Sequence, residues 1–286
     1  MSYTSPNDGR LGNHIFRNIA FSFVAKKHDL NVSYASLDRI KKLGIELFSG
    51  SQIYRNTIFL SDITFFNVLN KKYFYNNIIS TDCFQTYEIS HLIYGYLQEE
   101  NNQQKIIKAN PFKKRYNKNN DCVIHMRLMD IQLFAPTLNY YLQALSMITF
   151  DHLYLVTDDN THTNIKELSK YYNLKVLNFD EINTIQFCIT NKHIILSHGS
   201  FSALLGYLSK NSNIYYPKYN SEKMWHGDMF SIAGWNEVDW KNPKTNYIVN
   251  YNTLNVFVDK NLKTCPIVNN NNNNNTLNVY ANKKLK

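Results

Sequence analysis

The sequence predicts an α/β fold built on parallel sheet, and three observations lead there. From residue 122 onward, short apolar runs alternate with helical patterns at the spacing of strand–helix–strand units. Hydrophobic residues make up 44% of the 286-residue chain, with 21 Tyr and 17 Phe, enough to cover both faces of such a sheet. Near the start, Gly9-Arg10-Leu11-Gly12-Asn13 runs straight into a pattern in which Ile15, Phe16, Ile19, Ala20, Phe23 and Val24 recur at helical spacing.

Taken in order, residues 1–110 mix helical and short apolar runs with little regular order. Residues 113–120 are polar and basic, and read as a linker or exposed loop. Strands are then expected at 122–126, 152–157, 174–177, 193–197 and 214–217, and helices near 137–148, 162–172, 181–189 and 201–210. Pro136-Thr137 suits the start of the first of these helices. The chain accordingly divides into an amino-terminal lobe (1–120), a carboxyl-terminal lobe (121–245) and a tail (246–286). The tail holds an unbroken asparagine run, 269–275, between two similar stretches beginning at Asn252 and Asn275; we read the run as disordered and the similarity as a local duplication.

Composition excludes several classes. No run of eighteen apolar residues occurs and the first eight residues are polar, so neither a membrane span nor a signal peptide is expected. Cys83, Cys122, Cys188 and Cys265 lie far apart, which argues against a disulfide framework or zinc site and for reduced thiols in a soluble, cytoplasmic protein. Apart from Lys113-Lys114-Arg115 and Lys283-Lys284, the lysines behind the net charge of +9 are scattered, no stretch interleaves basic and aromatic residues as a base-stacking platform would, and most of the charge reads as a solvated surface with no nucleic-acid partner.

Open parallel sheets bind ligands beyond the carboxyl ends of their strands. Arg127 follows the first strand of the regular region, and its guanidinium offers a fixed fork for phosphate oxygens. Asp130 is placed to hold that fork or to take a proton; the alternative for the pair is a surface ion pair. Ser197, Ser200 and Ser202 cluster where a strand becomes a helix, as phosphate-receiving hydroxyls or as helix caps. Asp158-Asp159 also ends a strand; the D-x-D spacing of a metal clamp is absent, so capping or contact with ligand hydroxyls is the better reading. The nine histidines form no metal-ligand spacing and read as surface or packing residues. The opening Gly-x-x-Gly turn is either an anion cradle or a turn into a core helix.

These segments, in this order, resemble the alpha-1,2-fucosyltransferases (glycosyltransferase family 11) and, more distantly, the protein O-fucosyltransferases. Gly9–Asn13 with Ile15-Phe16 is similar to that family's opening motif, and His125-x-Arg127-x-x-Asp130 to its donor-binding motif. Cys83-Phe84-Gln85-Thr86-Tyr87, the helix with Tyr140-Tyr141, Val156-Thr157-Asp158-Asp159 and the stretch from Ser197 to Gly206 resemble further family segments. Pro217-Lys218 and Gly234-Trp235 fall where the family ends its domain. The likeness runs from about residue 9 to 240. Departures are Leu128 in place of a second arginine, His14 for glutamine, Ala203-Leu204 for a tryptophan pair, and a polar 1–8 where the family has an apolar first strand.

The resemblance implies a GT-B-like pair of Rossmann-like lobes and metal-independent, inverting transfer of L-fucose from GDP-fucose to a glycan hydroxyl, O-2 of a galactoside. It implies Arg127, Asn13 and Asp130 as catalytic residues. Gly9, Arg10, Gly12, His125, Asp158, Asp159, Ser200, Phe201 and Ser202 would contact the donor. A glycosyltransferase with another nucleotide sugar, or a non-catalytic nucleotide- or glycan-binding relative, stays open beside it.

Overall fold

The computed structural model describes residues 1–7, 9–131 and 133–239, together with the backbone of 246–251 and 254–259. The expected asparagine run lies outside these residues. The described residues form two parallel sheets covered by helices, so the α/β class stands.

The first sheet has the order β2-β1-β4-β3, from β1 (Ser2–Thr4), β2 (Val32–Ser33), β3 (Thr57–Phe59) and β4 (Asn77–Ser80). Its presence corrects the reading of 1–110 as irregular, and of 1–8 as a replaced strand. β1 is an inner strand, paired to β2 and β4. Its inward side chains are hydroxyls rather than apolar groups. Ser2 Oγ accepts from the Ile78 N–H at 2.9 Å, and Thr4 Oγ1 from the Ala35 N–H at 2.8 Å. Buried hydroxyls that close backbone hydrogen bonds are tolerated where a lone polar group would not be.

The second sheet has the order β10-β9-β8-β5-β6-β7. Its strands are β5 (Cys122–Met126), β6 (Leu153–Thr157), β7 (Leu174–Val176), β8 (His193–Ile195), β9 (Asn213–Pro217) and β10 (Asn236–Val238). Counted from β5 this is the 3-2-1-4-5-6 order of a Rossmann sheet. The five expected strands are found within one or two residues, and β10 adds an edge. β5 alternates perfectly: Val123 faces the interior shared with the first lobe, while Cys122, Ile124 and Met126 face Tyr140, Tyr141 and Leu145. The backbone of β11 (Asn246–Tyr251) and β12 (Leu254–Asp259) forms a separate antiparallel ribbon.

Two helices set the site. α1 (Leu11–His28) buries Ile15, Phe16 and Ile19 completely; each such side chain contributes roughly 1.5–3 kcal/mol of transfer free energy. α2 (Ser200–Leu208) follows β8 and packs against α1. Gly12 makes that approach possible, since a methyl there would lie 2.7 Å from Ser200 Oγ and 2.8 Å from the Phe201 nitrogen. The expected linker at 113–120 is likewise pinned. Arg115 donates to Asp121, Thr190 and Asn191 at 2.8–3.1 Å and lies over the Phe187 ring at 4.4 Å. No helix among the described residues is long and apolar enough to cross a membrane.

Candidate functional site

In the second sheet the chain leaves the adjacent central strands β5 and β8 in opposite directions, to β6 on one side and to β9 on the other, which opens a crevice at the carboxyl edge. In the first sheet the loops after the adjacent inner strands β1 and β4 line a second crevice. The two crevices face each other across one cleft of about 440 Å³. The loop after β1 brings Gly9 and Arg10 to it, the first turn of α1 brings Gly12 and Asn13, and the loop after β4 brings Gln85. His125, Arg127 and Asp130 come from β5 and its loop, Thr157 and Asp158 from the end of β6, and Ser200 and Phe201 from the start of α2.

Arg127 is clamped from several sides. Its Nε and Nη2 donate to the two Asp130 oxygens at 2.8 and 2.7 Å, and its guanidinium lies 5.5 Å from the Trp225 ring. Nη1 occupies the place where a side chain on residue 199 would begin. Gly199, at φ +95°, therefore serves both the backbone and the arginine. Arg10 adds a second contact to Asp130 at 3.3 Å. The hydrogen bonds from Arg127, helped by the charges of both arginines, hold the Asp130 carboxyl below its ordinary value.

His125 is neutral. Burial, then the neighbouring Arg127 charge, push its pKa down to about 3. Its Nδ1 lies 3.0 Å from Ser202 Oγ, which itself accepts from the Ser197 N–H at 2.7 Å. Asp158 neither caps a helix nor pairs with Asp159. Its Oδ1 accepts from the Leu128 and Met129 N–H groups at 2.7 and 3.3 Å, and so fixes the loop that carries Arg127.

Asn13 joins the lobes. Its Oδ1 accepts from Gln85 Nε2 at 2.8 Å and from Ser200 Oγ at 2.6 Å. Behind it, Arg17 is fully buried and donates to the backbone oxygens of Ser5, Thr81 and Asp82 at 2.7–3.1 Å, which ties together the loops after β1 and β4. Both α1 and α2 start at the cleft with no side-chain cap and no acid in their first turn. Their first N–H groups and dipoles direct positive partial charge toward the cleft, while Asp130, Asp158 and Glu181 outnumber Arg10 and Arg127 among its charged side chains.

Ten of the twelve expected residues thus share one cleft. Asp159 lies beside it, binding the Thr161 N–H and hydroxyl, and Ser202 is fully buried behind His125. The histidines are not one class: His14, His125, His193, His198 and His226 are buried, and His125 lines the cleft. Sequence reasoning missed Gln85, Trp225, Glu181 and Arg17 as site-forming residues. Gln85 stood inside a quoted segment, and a lone arginine on the apolar side of a helix was a usable signal for Arg17. Trp225 and Glu181 gave none. No known family profile matches the chain, and no curated protein matches it.

Proposed function

We propose that the chain is an inverting, metal-independent glycosyltransferase with a GT-B-like arrangement, moving L-fucose from GDP-fucose to a glycan hydroxyl, O-2 of a galactoside. The observation that carries this reading is the meeting of Arg127 with the uncapped starts of α1 and α2 in one cleft between the carboxyl edges of the two sheets. In the proposed step the acceptor oxygen bonds to the anomeric carbon as the bond to the diphosphate oxygen breaks. The hydroxyl proton leaves to a base or water, and negative charge grows on the departing phosphate. Nη1 of Arg127, parked beside Gly199 at the start of α2, lets one phosphate oxygen share a guanidinium and helix N–H groups, the kind of stabilisation that matters most where charge develops. Asp130 is a positioning residue here rather than the base, because its pKa is pulled down. Asp158 and Asp159 are each committed to separate backbone groups, which fits charge neutralisation by the chain's own donors.

A thermal-shift series with GDP-fucose, GDP-mannose and UDP-sugars tests the substrate class, with GDP-fucose expected to stabilise selectively. Calorimetry should give the same GDP affinity in EDTA as in Mg²⁺. Stabilisation by UDP-sugars alone would overturn the donor assignment, and a tenfold weakening in EDTA the metal-free one.

A further inference from the structure

The edge of the first sheet opposite the cleft carries cations and exposed apolar side chains together. α1 begins at the cleft and ends at this edge with Lys26, Lys27 and His28, whose ring packs on Phe74 at 5.0 Å. Residues 53–56 and 70–76 lead into β3 and β4 at the same edge, and meet where the Tyr54 and Tyr75 rings lie 5.9 Å apart. Ile53 is 60% exposed and Tyr73 and Tyr75 are each 65% exposed, among exposed Arg55, Lys71 and Lys72. No acidic residue occurs at 53–61 or 63–81, and Asp29, beside this edge, is bound by Ser51 and Gln52. Lys71-Lys72-Tyr73-Phe74-Tyr75 thus sets a basic pair directly beside three aromatic residues, a cluster that the sequence reading did not single out.

We propose that this edge binds the surface of an anionic lipid bilayer. Single exposed apolar residues need no explanation, but an aliphatic and two tyrosines ringed by lysines match the layers of a bilayer surface. Tyrosine sits at headgroup level, lysine is drawn to anionic headgroups, and isoleucine gains by entering the acyl boundary. A nucleic-acid surface fits less well, because Phe74 is buried and Ile53 offers no face for a base. The 18 residues of α1 hold the cleft roughly 27 Å from the bilayer.

Flotation of the full chain with vesicles tests this. It should bind phosphatidylcholine–phosphatidylglycerol vesicles, not phosphatidylcholine alone, and lose binding as salt rises. Lys71→Glu/Lys72→Glu should lower partitioning at least about tenfold, since each lysine is worth several-fold near an anionic surface. Lys113→Glu/Lys114→Glu, the same charge change at another exposed site, should leave it within about twofold of wild type. Ile53→Ser should weaken binding at unchanged salt dependence. All variants alter exposed side chains, and unchanged melting temperatures confirm their folding. Equal binding to both vesicle types, binding to neither, or equal loss in the Lys113/Lys114 variant would overturn the proposal. So would tighter binding to a short RNA than to anionic vesicles, lost on the Lys71/Lys72 change.

Discussion

Replacing Arg127 separates two effects that the cleft geometry couples. Arg127→Ala removes the donor proposed to meet the departing phosphate, a loss of about 3–4 kcal/mol or 10²–10³ in rate for a contact of this kind. It also strips Asp130 of its two shortest ion-pair contacts, leaving only Arg10 at 3.3 Å. A carboxylate facing bound phosphate at about 4 Å costs ~4 kcal/mol in a medium of effective dielectric 20. Asp130 is partly exposed and keeps Arg10, so a residual of about 1–2 kcal/mol is the reasonable figure. The single variant should therefore lose about 10³–10⁴, and Arg127→Ala/Asp130→Asn should recover roughly tenfold of it. Arg127→Lys should recover little, because an ammonium cannot hold both Asp130 oxygens and fill the space at Gly199. Fucose transfer under kcat/KM conditions, on variants checked by circular dichroism, reads all three against wild type. Transfer within a few-fold of wild type in folded Arg127→Ala would refute the leaving-group role. A double variant no faster than the single would refute the charge argument.

Three further predictions concern stability. Gly12→Ala should lower the melting temperature despite the ~1 kcal/mol that alanine gains in a helix, since overpacking against the Phe201 backbone costs about 1–3 kcal/mol. Gly95→Ala, where an added methyl meets nothing within 4 Å, should raise it. Asp62 has its carboxyl raised to about 6 by burial and then by Asp82, so between about pH 4 and 6 the folded chain holds a proton that the unfolded chain has lost. Its contribution must fall as pH rises through that window, and denaturant titrations should show the wild-type-minus-Asp62→Asn difference doing so; a flat difference would refute the shift.

How much was legible in the sequence follows from strand length and burial. The second sheet was readable because central parallel strands such as Cys122–Met126 are continuous apolar runs. β1, β2 and β4 are two to four residues long and bury Ser2, Thr4, Asn77 and Ser80, so no apolar run marks them. β10 is a three-residue edge strand with one buried side chain. The site was readable where a residue directly follows a strand, as with Arg127 and Asp158. Roles that depend on a distant segment were not. The Asp158 carboxylate reaches back 30 residues, Gln85 meets Asn13 across 72, and Asn13 meets Ser200 across 187.

That last pair bears on where the proposed chemistry finds its driving force. Asn13 was expected to act at the reacting centre, yet both lone pairs of its Oδ1 are taken by Gln85 and Ser200. It can donate through Nδ2 but cannot receive a proton. Asp130 is held low by Arg127, His125 is neutral with a pKa near 3, and Glu181 is paired with Arg39 of the other lobe. Each of these groups is too weak a base, or too engaged, to pull a proton early from a sugar hydroxyl. The helix starts and Arg127, by contrast, are fixed in advance where a phosphate would gain charge. In the proposed reaction a cleft built this way would lower the barrier by favouring bond breaking to the diphosphate, with proton loss trailing behind, and so Arg127→Ala should lose more rate than any single carboxylate substitution in the cleft.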